Sequence, residues 1–85
     1  MDENEGPKFP QTVPHRVIAE RERLDEGELR GALAPFTLTE PLAPSHESAG
    51  GKYVSYSFSA LVASREEFYE LDTRLRKTPG VRMVL

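Results

Sequence analysis

Cysteine is absent from the chain. Neither a disulfide framework nor a thiolate metal site can therefore hold it together, and nothing in it calls for an oxidising compartment. Tryptophan is absent as well, and the only histidines are His15 and His46, separated by a helical stretch. A catalytic zinc usually takes three protein ligands, so the expectation is no metal and no cofactor. Apolar runs are short: none approaches the roughly 18 residues of a membrane-spanning helix. The opening stretch "MDENEGPKFP" is acidic and lacks both the basic region and the apolar core of a secretory leader. A cytoplasmic location without membrane contact is the expectation. Positive charge is the minority, with 11 Lys and Arg against 14 Asp and Glu and a net charge of −3. That balance opposes a phosphate backbone, and nucleic acid is not an expected partner.

What remains is an ordinary globular composition. The 85 residues, 38% hydrophobic and 29% charged, suffice for one small domain with a single core. Residues 1–10 carry Asp2, Glu3 and Glu5 among Gly6, Pro7 and Pro10. They cannot bury enough apolar surface to offset ordering, so a flexible acidic tail is expected there, with the domain over 11–85.

Val13, Val17 and Ile18 make "TVPHRVIAE" a β-branched stretch suited to a strand beginning at or just after Pro14. Asp25 with Glu28 three residues on has the spacing of a capping box. Leu29, Ala32 and Leu33 then form an apolar face that Pro35 stops. Gly27 and Gly31 each cost roughly 1 kcal/mol against alanine in a helix interior, so this short helix has to lean on tertiary packing. Residues 36–43, "FTLTEPLA", suit an edge strand broken by Pro41 and Pro44. "PSHESAGG" reads as a polar hairpin loop, and a long strand follows from about Lys52 to Val62. Ser64 and Glu67 form a second capping box before "REEFYELDTRLRK", where Phe68, Leu71 and Leu75 mark the buried stripe. After Pro79-Gly80, "VRMVL" is a last strand.

Strand, helix, strand, strand, helix, strand is the split βαβ order of an α+β, ferredoxin-like two-layer sandwich. In that fold a four-stranded antiparallel sheet carries both helices on one face and leaves the other open. Period-two alternation puts Val54, Tyr56, Phe58, Ala60 and Val62 on the core side of the long strand. Tyr53, Ser55, Ser57, Ser59 and Leu61 fall on the open side. The same alternation groups Val81, Met83 and Leu85 on one face of the last strand, with Arg82 and Val84 opposite.

An "FP" before the first strand, the strand "GKYVSYSFSA" after a glycine-bearing loop, a "FYELDTRL" helix and a terminal "GVRMVL" resemble the small bacterial YbeD-like proteins. The resemblance spans Phe9 to Leu85 and is most specific at "VRMVL". That uncharacterised family is similar in fold to the regulatory ACT modules of amino-acid enzymes, and some members are labelled lipoate-linked regulators. The resemblance implies a regulatory role and supplies no catalytic residue set. Two features depart from the pattern: the first helix is short and glycine-bearing, and the turn "RERLD" lacks the glycine that ACT modules place beside an amino-acid ligand.

Several motifs invite a sharper chemistry. Gly51-Lys52 would need a glycine at the place of His46, a Ser or Thr after the lysine and a helix beyond; Tyr53 and a strand follow instead, so a hairpin connection is expected rather than a phosphate loop. Ser45, His46 and Glu47 are consecutive, and three neighbouring loop side chains rarely build a nucleophile, an ordered base and an oxyanion hole. RNA-recognition sheets stack bases on aromatics of the third strand; Tyr53 is suitably placed, but Ser55 and Ser57 stand where further rings would be needed. Arg74, Arg76, Lys77 and Arg82 form a basic group. It complements a helix C-terminus, and it is also a candidate anion patch. The candidate partner or ligand surface is Tyr53, Ser55, Ser57 and Ser59: too polar for a core, too poor in charge for a solvated face, and able to admit a close approach. A non-enzymatic regulatory or adaptor domain is the expectation, binding a protein partner or a small metabolite, with homo-oligomers admitted. The alternative is an ACT-type sensor of an amino acid or lipoate-related ligand.

Overall fold

The computed structural model describes residues 8–47 and 50–85, without the side chains of His46 and Glu47. The acidic tail expected over 1–10 therefore lies, for residues 1–7, outside the described residues. The elements run β1 (Gln11–Glu20), α1 (Glu26–Leu33), β2 (Thr37–Glu47), β3 (Tyr53–Val62), α2 (Arg65–Lys77) and β4 (Val81–Val84). The strands form one antiparallel sheet in the order β2-β3-β1-β4, the expected ferredoxin-like arrangement.

β1 and β3 set the frame. Their register runs without a slip from Gln11 opposite Val62 to Glu20 opposite Tyr53. That register brings the odd residues of β1 beside the even residues of β3 on one face. There Val17, Tyr56, Phe58, Ala60 and Val62 meet Leu29 and Leu33 of α1 and Leu71 and Leu75 of α2 in a single cluster. Both helices thus cover the same side of the sheet. Each fully buried leucine contributes about 1.5–3 kcal/mol relative to exposure.

Both helix starts are capped. Asp25 accepts from the Gly27 N–H at 2.8 Å, and Ser64 accepts from the Glu67 N–H at 3.1 Å while the Glu67 carboxylate accepts from the Ala63 N–H at 2.6 Å. The short α1 is held by its surroundings, as its glycines demand. Leu29 and Leu33 are buried, the Tyr56 hydroxyl donates to Glu26 at 3.3 Å, and Arg74 of α2 donates to the Ala32 carbonyl at 3.0 Å.

Three expectations need correction. β1 does not begin at or just after Pro14; it starts at Gln11 and takes Pro14 in, since the Pro14 nitrogen faces away from β3 and its missing N–H breaks no β1–β3 bond. β2 does not break at its prolines; it continues to Glu47 and takes in Pro44, Ser45 and His46, residues expected in the loop. It lies at the sheet edge, where register slips between Leu38 and Glu40, Glu40 and Ala43, and Pro44 and His46 absorb the missing proline donors. β4 does not present Val81, Met83 and Leu85 on one face. It pairs Val81 with Ala19, Met83 with Ile18 and Val84 with Val17. The extra residue in that bulge breaks the period of two, so Val81 and Val84 pack on the core while Met83 and Leu85 are exposed. Ahead of β4, Gly80 takes φ +92, and a Cβ there would lie 2.8 Å from the Leu24 nitrogen. Only glycine lets β4 start this close to the β1–α1 connection.

Candidate functional site

β3 carries Tyr53, Ser55, Ser57 and Ser59 on the face away from the helices, as its alternation requires. Ser55 and Ser59 are nevertheless only 6% exposed. Ser59 donates to the Glu40 carboxylate of β2 at 2.8 Å, and the Ser55 and Ser45 hydroxyls are 3.2 Å apart. Ser57 makes no side-chain hydrogen bond among the described residues. At the end of the strand the Lys52 ammonium stands 5.5 Å from the centre of the Tyr53 ring, close enough for a cation–π contact.

Register explains which residues join the serines. Ser57 lies between Arg16 of β1 and Ala43 of β2, and Ser59 lies between Pro14 and Glu40. These rows form a concavity of about 550 Å³ whose lining includes Arg16, Glu40, Pro41, Ser57, Ser59 and Leu85. Hydroxyls on its floor, a guanidinium on one side and a carboxylate on the other equip it to bind polar groups. Arg16, Glu40 and Leu85 are absent from the sequence-derived surface. Alternation along β1 does put Arg16 on the open face, but its position beside Ser57 depends on the β1–β3 register.

The basic group does not gather into one site. Arg74 is turned to the Ala32 carbonyl and shares a shallow concavity with Glu28, Lys77 and Thr78. Arg76 pairs with Asp72 at 2.8 Å. Arg82 pairs with Glu20 across the β1–β4 ladder at 2.5 Å. Gly51, at φ +72, sits in the β2–β3 connection as the hairpin expectation requires, and its carbonyl accepts from the Arg21 Nε at 2.8 Å.

His15 is on the opposite side of the sheet from the serines. Its ring is buried, stacks on Phe58 and lies with Nδ1 at 3.3 Å from the Val13 carbonyl. Burial holds its pKa below the ordinary value, against the raising effects of that carbonyl and of Asp72. Among the described residues no cluster of His, Asp and Glu suits a metal ion, and no helix is long and apolar enough to cross a membrane.

A family model described as "Protein of unknown function (DUF493)" matches residues 5–85. Among solved structures, the solution structure of protein HP0495 from H. pylori matches with a TM-score of 0.77 at 20% sequence identity, covering 95% of this chain and 89% of that one. At that identity the likeness concerns the fold. No curated protein matches.

Proposed function

The chain belongs to the DUF493 family, the YbeD-like proteins, and on that premise we propose that it is a non-enzymatic regulatory or adaptor domain. It works by binding a protein partner or a small metabolite on the open face of its sheet. The observation that carries this reading is the concavity of about 550 Å³ over Ser57 and Ser59. In a sandwich with both helices on one side, such a depression lets a second surface come close to backbone and hydroxyls without displacing core residues. Ser57 supports the reading, since its hydroxyl lines the depression without spending its hydrogen bonds on another described side chain. Glu40 is held in place by Ser59.

The protein-partner and metabolite forms of the proposal separate in solution. A metabolite at ~100 times its dissociation constant stabilises the fold by about 2.7 kcal/mol. A thermal shift with free amino acids or lipoate that disappears in Ser57→Arg therefore supports the metabolite form. Mass-dependent sedimentation or partner capture that disappears in the same variant supports the protein form. A strict monomer that responds to neither ligand, and whose Ser57→Arg variant behaves identically in sedimentation and capture, contradicts both.

A further inference from the structure

β4 covers only the second half of β1. It pairs with Val17, Ile18 and Ala19, and Arg16 and Leu85 exchange backbone hydrogen bonds at 3.1 and 2.8 Å. Among the described residues nothing pairs with β1 on that side ahead of Arg16. In an antiparallel ladder each residue sends N–H and C=O to the same neighbour, and the side alternates along the strand. Arg16 and Glu20 bond towards β4, the latter to Gly80, whereas Arg21 bonds towards β3 at Lys52. Because the β1–β3 register has no slip, Thr12 and Pro14 face the same side as Arg16. Both are exposed. The edge thus offers the Thr12 N–H as a donor and the Thr12 and Pro14 carbonyls as acceptors. Pro14 sits where its missing N–H costs the β3 ladder nothing.

Concavities flank this edge on both sides. Towards α2, two of about 380 and 300 Å³ share Val13, Phe68 and Tyr69, and the Tyr69 ring is 60% exposed. Towards the open face, the serine-floored concavity includes Pro14 and Leu85, which also line the larger of those two. A strand laid along β1 in line with β4 would alternate its side chains between an aromatic trough and a hydroxyl-lined one.

Charge identifies what such a strand should carry. Arg23 and Arg82 pair with Glu20, Arg30 with Glu26 and Arg76 with Asp72. Arg21 and Arg74 donate to the Gly51 and Ala32 carbonyls. Arg16 and Arg65 are the described arginines without an ion pair or side-chain hydrogen bond to a described residue. They bracket the open edge: Arg16 lines the open-face concavity and Arg65 lines the aromatic trough beside Phe9 and Gln11. In a chain of net charge −3, cations with no ion-pair partner among the described residues at both ends of an open edge complement an acidic segment.

We propose that the uncovered edge of β1, from Gln11 to His15, is a strand-addition site for an extended acidic peptide segment with alternate apolar side chains. The mode is β-augmentation, with backbone bonds at Thr12 and Pro14 supplying affinity and the flanking troughs supplying selectivity. It rests on the binding-domain reading above and shares the serine-floored concavity as one of its troughs, while its backbone bonds lie on the strand edge.

The probe is an acetylated, amidated nonapeptide in which seven residues of alternating glutamate and valine carry one further glutamate at each end, so that carboxylates reach both faces, with a lysine–valine counterpart as control. The glutamate peptide should bind the full chain and slow amide hydrogen exchange at Thr12 by about tenfold or more. The exposed pair Arg16→Glu/Arg65→Glu should weaken it by at least about tenfold and favour the lysine peptide, while Arg16→Lys/Arg65→Lys retains it. Circular dichroism checks that each variant is folded. Unchanged Thr12 exchange, or equal affinity for the charge-reversed variant, overturns the proposal. So does a peptide-free dimer in which Thr12 is already protected, since a second copy would then be the occupant. If the peptide fails while partner capture is still lost in Ser57→Arg, the edge is refuted and the open-face reading stands; peptide binding beside a neutral Ser57→Arg does the reverse.

Discussion

The imidazole of His15 lies flat on the ring of Phe58, with centroids 5.1 Å apart and planes 3° from parallel, and Phe68 closes the same pocket at 5.9 Å. A charged imidazolium would be poorly solvated there, so the folded state holds the pKa below the 6.5 of the free side chain.

Stability should follow from that shift. Between the lowered folded value and about 6.5 the unfolded chain binds more protons than the folded one, so stability rises with pH across this window. The contribution is complete above about 6.5 and is lost as pH falls through the folded value. Urea midpoints should therefore drop as pH falls from about 7.5 to about 5.5, and His15→Phe should flatten that drop. An identical pH dependence in His15→Phe contradicts this account of the stack.

Gly80 and Gly31 should respond oppositely to the same substitution. At Gly80 an added Cβ meets the Leu24 and Arg23 backbone within 2.9 Å at φ +92, whereas at Gly31 it meets nothing within 4 Å. Gly80→Ala should lower the stability by roughly 2 kcal/mol or more. Gly31→Ala, inside α1, should raise it by about 0.5–1 kcal/mol. Chemical denaturation of the two variants checks both signs.

These sites also mark the boundary of what the residues reveal unaided. Alternation is local, so the two faces of β3, with Tyr56 and Phe58 inward and Ser57 and Ser59 outward, are legible in the string itself. Ser64 with Glu67 is equally local and predicts the start of α2. The faces of Met83 and Val84 are not legible, because the bulge that swaps them is created by pairing with Ile18 and Ala19 far away in the chain. The length of β2 is hidden for a similar reason: Pro41 and Pro44 look like breaks until an edge position lets bulges absorb them. The candidate site suffers most. The serines announce an unusual face, but Arg16 and Glu40 become their neighbours only through the registers of three strands.

Arg74 and Arg76 look alike in sequence and should differ under mutation. Arg74 is half-buried and donates to the Ala32 carbonyl, bridging the two helices. Arg74→Ala should cost about 1–2 kcal/mol, mostly by leaving that carbonyl without its donor. Arg76 pairs with Asp72 at the surface, where such pairs add little, so Arg76→Ala should leave the unfolding midpoint nearly unchanged. Equal losses in the two variants would contradict the separation of the basic group into unlike roles.

Partner capture from cell extract on three immobilised forms, wild type, Ser57→Arg and Glu70→Arg, bears most directly on the binding role of the open face. Ser57 lies on the floor of the open-face concavity, while Glu70 is exposed on α2 on the other side of the molecule. A species retained by wild type and by Glu70→Arg should be lost from Ser57→Arg, with all three equally folded by circular dichroism. Retention of the same species by all three forms would contradict it.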